Sequence, residues 1–152
     1  MDFFATLRRS GGINALARQL GIAPGVATAG AQALLPQLLD GFRPYRARMP
    51  ELLDILNDLG GGALAVTVMN MENADPAPGL ALIGRIFEHN GSVEELMAAA
   101  RPSAIERTSL ERMAPLLAML IGGYVAARAA GGMDAAALGE MFDARDAAGT
   151  PV

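Results

Sequence analysis

The stretch that decides the fold lies near the C-terminal end, where residues 113–127 read MAPLLAMLIGGYVAA. It contains no charged residue, and Arg112 and Arg128 bound it. A helix needs about 20 apolar residues to cross a bilayer, so this stretch is too short. The longer uncharged stretch at 19–39 contains two prolines and three glycines, so it is not a continuous apolar helix. The sequence therefore predicts a buried core helix at 113–127 and no membrane span.

The composition excludes several classes of chemistry. The 152-residue chain has no Cys and one His, and all 12 of its basic residues are Arg. Disulfides, thiolate metal ligands, a cysteine nucleophile, multi-histidine metal sites and lysine chemistry are therefore ruled out. The net charge of −4 opposes general binding to nucleic acid. The sequence indicates no cofactor and no metal, and it gives no evidence of an enzyme.

The apolar content of 52% is that of a folded domain, and glycines and prolines divide the chain into helices. We predict an all-α fold, a compact bundle of about seven or eight helices. It forms a single domain over residues 1–142, followed by a flexible tail at 143–152. The N-terminus lacks the apolar stretch of a secretory signal, so we expect a cytoplasmic protein.

Three connecting segments are less regular. Gly60-Gly61-Gly62 predicts a helix stop, and the residues 73–79, NADPAPG, predict a linker. Between them, the β-branched residues of 63–71 favour a strand, but a lone strand would have no partner. We therefore expect a helical or irregular buried segment there. Residues 43–49 are expected to connect two helices.

The two halves of the chain resemble each other at an offset of 79 residues. Pro36 falls on Pro115, and Tyr45 falls on Tyr124. Apolar positions match between these landmarks, so each half reads as short helices followed by a long helix bent by its proline. We predict an internal repeat, with halves at 3–48 and 80–127 that pack against each other.

The segments ALARQLGIAPG (15–25), ALLPQLLDGF (33–42) and MAPLLAMLIGGY (113–124) carry a resemblance to a known family. They resemble the YidB-like family of small all-helical bacterial proteins of unknown function. The resemblance covers residues 3–142 and lies in a helical packing pattern rather than a catalytic motif. It implies an α-helical fold, and it supplies no reaction, ligand or site residues.

A stripe of small residues is the main candidate for an interaction surface. Ala118, Gly122, Ala126 and Ala130 recur every four residues, which lets another helix approach closely. The stripe serves either ordinary packing within the chain or a homodimer seam. The favoured function is a noncatalytic helical module for protein interaction or self-association. The alternative is the binding of a small apolar ligand in a cleft between the two halves.

Two other groups of residues are weaker candidates. Glu88 and His89 form a carboxylate–histidine pair, but a histidine at a helix C-terminus has a structural explanation in the helix dipole. Arg43, Arg46 and Arg48 surround Tyr45, a pattern that could contact phosphate, although a solvated loop paired with nearby carboxylates explains it equally. The order of a short helix, a turn and a longer helix suggests a DNA-binding unit, but the would-be recognition helix at 26–37 has no charged residue.

Overall fold

The computed structural model describes residues 7–9, 11–70, 75, 77–86 and 107–132. This part of the chain is helical and contains no strand, which confirms the all-α prediction. It contains six α-helices and one 3-10 helix: α1 (Gly12–Leu20), α2 (Pro24–Phe42), the 3-10 helix (Arg43–Arg48), α3 (Met49–Leu59), α4 (Ala63–Asn70), α5 (Ala77–Ile86) and α6 (Arg107–Ala130).

Helix α1 ends at Leu20, directly before a glycine. Gly21 adopts a left-handed conformation with φ of 67°, which a residue without a Cβ reaches at little cost. The amide of the following residue, Ile22, donates to the carbonyl of Ala17 at 3.0 Å. This satisfies a carbonyl that the helix itself leaves without a partner. Pro24 then begins α2 at a position where no backbone donor is needed.

The glycine triplet separates α3 from α4, as predicted. The amide of Gly61 donates to the carbonyl of Leu56 at 2.7 Å, and this closes the last turn of α3. The ambiguous segment that follows is a helix, α4, whose residues Leu64 and Val68 are buried. The helical expectation for this segment is confirmed over residues 63–70, and the adjoining 71–74 lie outside the described residues.

The predicted linker at 73–79 is partly wrong, because α5 already begins at Ala77. The side chain of Asp75 accepts a hydrogen bond from the amide of Ala77 at 2.9 Å, and this caps the new helix. Pro78 lies in the first turn, where its missing amide costs no hydrogen bond. The residues that suggested a linker therefore start a helix. The segment 43–49, which was expected to be a connection between two helices, contains the 3-10 helix.

Helix α6 is the centre of the bundle. It packs on α1, α2, α3, α4 and α5. From Met113 to Gly123 every residue is buried. The predicted core helix is therefore confirmed.

Two helices approach α6 so closely that their contacts involve backbone atoms. A Cβ placed on Gly79 of α5 would overlap the carbonyl group of Pro115. A Cβ placed on Gly123 would overlap the backbone of Ala65 in α4 and lie 2.7 Å from its Cβ. These glycines set the spacing of α5 and α4 from α6.

A search for membrane-spanning helices finds one candidate, Glu111–Ala130, among the described residues. Its mean hydropathy is 1.5, but 72% of the window is buried inside the fold. The core helix of a water-soluble protein passes the same test. Helices α3 and α4 pass it only when taken together, and a bend of 46° separates them.

The two predicted halves show one difference in the described residues. Pro36 and Pro115 both lie within long helices, but α2 ends at Phe42 whereas α6 continues past Tyr124 to Ala130. Pro44 follows the end of α2, and its counterpart at the offset of 79 is Gly123. Much of the predicted second half, at 87–106, lies outside the described residues. The internal repeat stays a prediction, and so does the tail at 143–152, which also lies outside them.

Candidate functional site

The small-residue stripe of α6 lies inside the fold. Ala118 is fully buried, and Ala126 is 6% exposed. A Cβ on Gly122 would lie 2.8 Å from Leu56 of α3 and 2.9 Å from Leu82 of α5. Only Ala130, at the end of the helix, is exposed. The stripe had two interpretations, packing within the chain and a surface for a partner. The burial of its residues matches packing within the chain, so the assignment as a partner surface is corrected.

Two of the arginines near Tyr45, Arg43 and Arg48, are engaged by other groups of the chain. Arg48 pairs with Glu51 at 3.2 Å, and its guanidinium lies 4.7 Å from the centroid of the Tyr45 ring. The hydroxyl of Tyr45 donates to the carbonyl of Arg85 at 3.5 Å. Arg43 is half-buried and also engaged, while the side chain of Arg46 lies outside the described part. The geometry matches the explanation in which the segment pairs with a neighbouring carboxylate.

The remaining predicted candidates, Glu88 and His89, lie outside the described residues. Within the described ranges, no three His, Cys, Asp or Glu residues are grouped so that they could hold a metal ion. Among the side chains that the structure describes, every buried nitrogen and oxygen has a hydrogen-bond partner.

Helix α5 carries the most unusual surface of the described residues. Its inner side packs into the core through four buried residues: Gly79, Leu82, Ile83 and Ile86. On the opposite side, Ala77, Leu80, Ala81 and Gly84 are all exposed, and we name these four residues the α5 outer face. Their spacing of i, i+3, i+4 and i+7 places them on one side of a helix. The face contains no polar side chain.

A helix that is apolar on all sides is normally buried on all sides. The outer face departs from this rule, because Leu80 is 46% exposed. A Cβ on Gly84 would find no atom within 4 Å, so the surface beside Leu80 is open. In the described residues, two groups of opposite charge lie near the ends of the face, Asp75 before the helix and Arg85 in its last turn.

Two other large apolar side chains are exposed in the described residues, Val66 of α4 at 55% and Val26 of α2 at 37%. Val66 lies between exposed Ala63 and the polar Asn70, and Val26 lies in the first turn of α2. Single exposed apolar residues are ordinary on protein surfaces. The α5 outer face differs because four residues of one helix form it together.

Sequence reasoning did not single out the α5 outer face. The available signal was the absence of charge from residues 77–84, APGLALIG, which leaves no polar side to face water. The predicted linker concealed this signal, because it assigned the first turn of α5 to a loop.

Comparisons with known proteins add no relative: no family model matches the chain, and no curated protein or solved structure is significantly similar to it.

Proposed function

We propose that this protein is a noncatalytic helical module that binds a protein partner through the α5 outer face. The observation that carries the proposal is the exposure of Leu80, at 46%, in the middle of a helix surface without polar side chains. Covering such a surface with another protein removes apolar area from water, which stabilises the complex. The small residues beside Leu80 allow a partner helix to approach closely.

The proposal keeps the protein-interaction function that the sequence favours. It places the interaction on the α5 outer face instead of on the small-residue stripe of α6. The stripe of Ala118, Gly122 and Ala126 is occupied by helices of the same chain, whereas the α5 outer face is open to solvent. The alternative, a small apolar ligand held between the halves, gains no support from α2 and α6. Leu34, Leu38 and Leu117 of these helices are 0% exposed, so no space of the size of water adjoins them.

We also infer, from the sequence patterns alone, membership of the YidB-like family, an internal repeat of halves 3–48 and 80–127, and a cytoplasmic location. The all-helical fold is compatible with the first two. A structure determination that placed residues 87–106 would test the repeat, because the halves must then superpose. A cell fractionation with a tagged chain would test the location.

The interaction is tested by chemical cross-linking in native host cells, followed by affinity capture and mass spectrometry. The baits are the wild-type chain, Leu80→Arg and, as the matched control, Gln32→Arg at an exposed position of α2. We expect at least one cross-linked protein, a second copy included, to be captured by the wild type and the control and lost with Leu80→Arg. Capture of the same set of proteins by all three baits would contradict the proposal.

A further inference from the structure

We propose that the partner of the α5 outer face is a second copy of the same chain, with the two α5 helices antiparallel across a two-fold axis. The inference rests on the proposed function and names its partner. It depends on two features of the face: the order of large and small residues along it, and the opposite charges at its ends.

The face is complementary in shape to itself. It has one large side chain, Leu80, and three small residues. When two such helices run antiparallel about a two-fold axis that passes between residues 80 and 81, Leu80 and Ala81 each lie beside the same residue of the second copy. In the same register Ala77 lies opposite Gly84 of the second copy, and in the described residues no atom lies within 4 Å of a Cβ built on Gly84. The two Leu80 side chains therefore pack against each other at the centre of the contact, and the small residues around them let the helices approach closely.

The charges at the ends select the antiparallel orientation. Asp75 and Arg85 are exposed and lie near opposite ends of α5. An antiparallel pair brings Asp75 of each copy close to Arg85 of the other, whereas a parallel pair would bring like charges together. The dipoles of the two helices also attract each other when the helices are antiparallel and repel each other when they are parallel. Charged groups at the rim of an interface chiefly determine orientation and specificity.

The size of the face indicates a weak dimer. A stable interface buries about 800 Å² on each partner, and the outer face of one helix of three turns offers less. We therefore expect a reversible dimer with a dissociation constant on the order of 0.1 mM.

Disulfide cross-linking tests the register directly, because the natural chain has no Cys and every introduced thiol is the only one. Ala81 lies beside the proposed axis, so Ala81→Cys is expected to form a disulfide dimer on mild oxidation. Ala77→Cys alone and Gly84→Cys alone are not, since each would be roughly 10 Å from its own copy along the helix axes. An equal mixture of these two variants is expected to cross-link.

Gln32→Cys, at an exposed position of α2, is the control for random collision. A parallel pair would instead cross-link Ala77→Cys and Gly84→Cys each on its own, and this result would overturn the proposed arrangement. Dimers of Gln32→Cys that form as fast as those of Ala81→Cys would also overturn it.

Sedimentation equilibrium of the unmodified chain gives an answer that does not depend on the cysteine variants. We expect the average mass to rise from one chain toward two as the concentration approaches 1 mM, about ten times the expected dissociation constant. Leu80→Arg should remain a monomer and Gln32→Arg should follow the wild type, with circular dichroism to show that both fold. A wild type that stays monomeric would refute the self-pairing. The proposed function would then still be decided by the capture of other proteins that depend on Leu80.

Discussion

At the scale of single residues, two glycines on opposite sides of α5 give contrasting predictions. Gly79 faces the carbonyl group of Pro115, a backbone group that α6 holds in place. We expect Gly79→Ala to overpack the core, which costs about 1–3 kcal/mol and leaves a net loss of up to about 2 kcal/mol in the free energy of unfolding. The gain of about 1 kcal/mol in helix propensity only partly offsets that cost. Urea unfolding followed by circular dichroism measures the change.

Gly84→Ala is the matched control on the same helix. No atom lies within 4 Å of the added methyl group, so only the helix propensity changes. We expect a gain of up to about 1 kcal/mol in the free energy of unfolding. The measurement should be made at a few micromolar, where self-association is absent. Equal effects of the two substitutions would contradict the close contact of Gly79 with α6.

At the scale of whole elements, α1 is joined to the end of α4 by two side-chain hydrogen bonds. Arg18 donates from Nη2 to the carbonyl of Met69 at 2.6 Å, and Gln19 donates from Nε2 to the carbonyl of Val68 at 3.0 Å. Both carbonyls belong to the last turn of α4, where the helix supplies no partner for them. These two bonds therefore cap α4 from a helix about 50 residues earlier in the chain.

We expect the double variant Arg18→Ala, Gln19→Ala to fray the last turn of α4. The cost is about 1 kcal/mol for each hydrogen bond, and the bond of Arg18 is at the exposed end. Amide hydrogen exchange should speed up in residues 67–70 while α6 stays protected. Asn14→Ala, at an exposed position of α1, is the control and should leave α4 unchanged. Unaltered exchange in the double variant would show that these bonds do not hold α4.

The elements also show how far the sequence can predict this fold. The triplet at 60–62 ends a helix where expected, because few other residues satisfy a helix terminus as well as glycine does. The sequence could not predict which neighbouring helices the small residues of α6 would face. The sides of α6 are almost equally apolar from Met113 to Val125, so the periodicity contains no information about which side meets which neighbour. The α5 outer face was missed for a different reason, because the predicted linker at 73–79 assigned the first turn of α5 to a loop.

At the scale of the whole molecule, α6 explains why the small-residue stripe is not a surface. Five helices surround α6, and the close contacts at Gly79, Gly122 and Gly123 need the absence of side chains there. The fold therefore buries α6, with its stripe of small residues, in its own core. What remains for a partner is the outer side of a helix that packs on α6, and on α5 this side combines the exposed Leu80 with three small neighbours.

Self-association through α5 predicts that thermal stability depends on concentration. A dimer that forms only from folded chains stabilises them by mass action, here by about 1 kcal/mol as the concentration rises from 10 µM to 1 mM. For a chain of this length we expect Tm to rise by about 2–4 °C over that range in differential scanning calorimetry. Leu80→Arg should lose this dependence, and Gln32→Arg should retain it. If Tm rises equally in Leu80→Arg, the dimer uses another surface, and the α5 outer face is not the contact that joins the two copies.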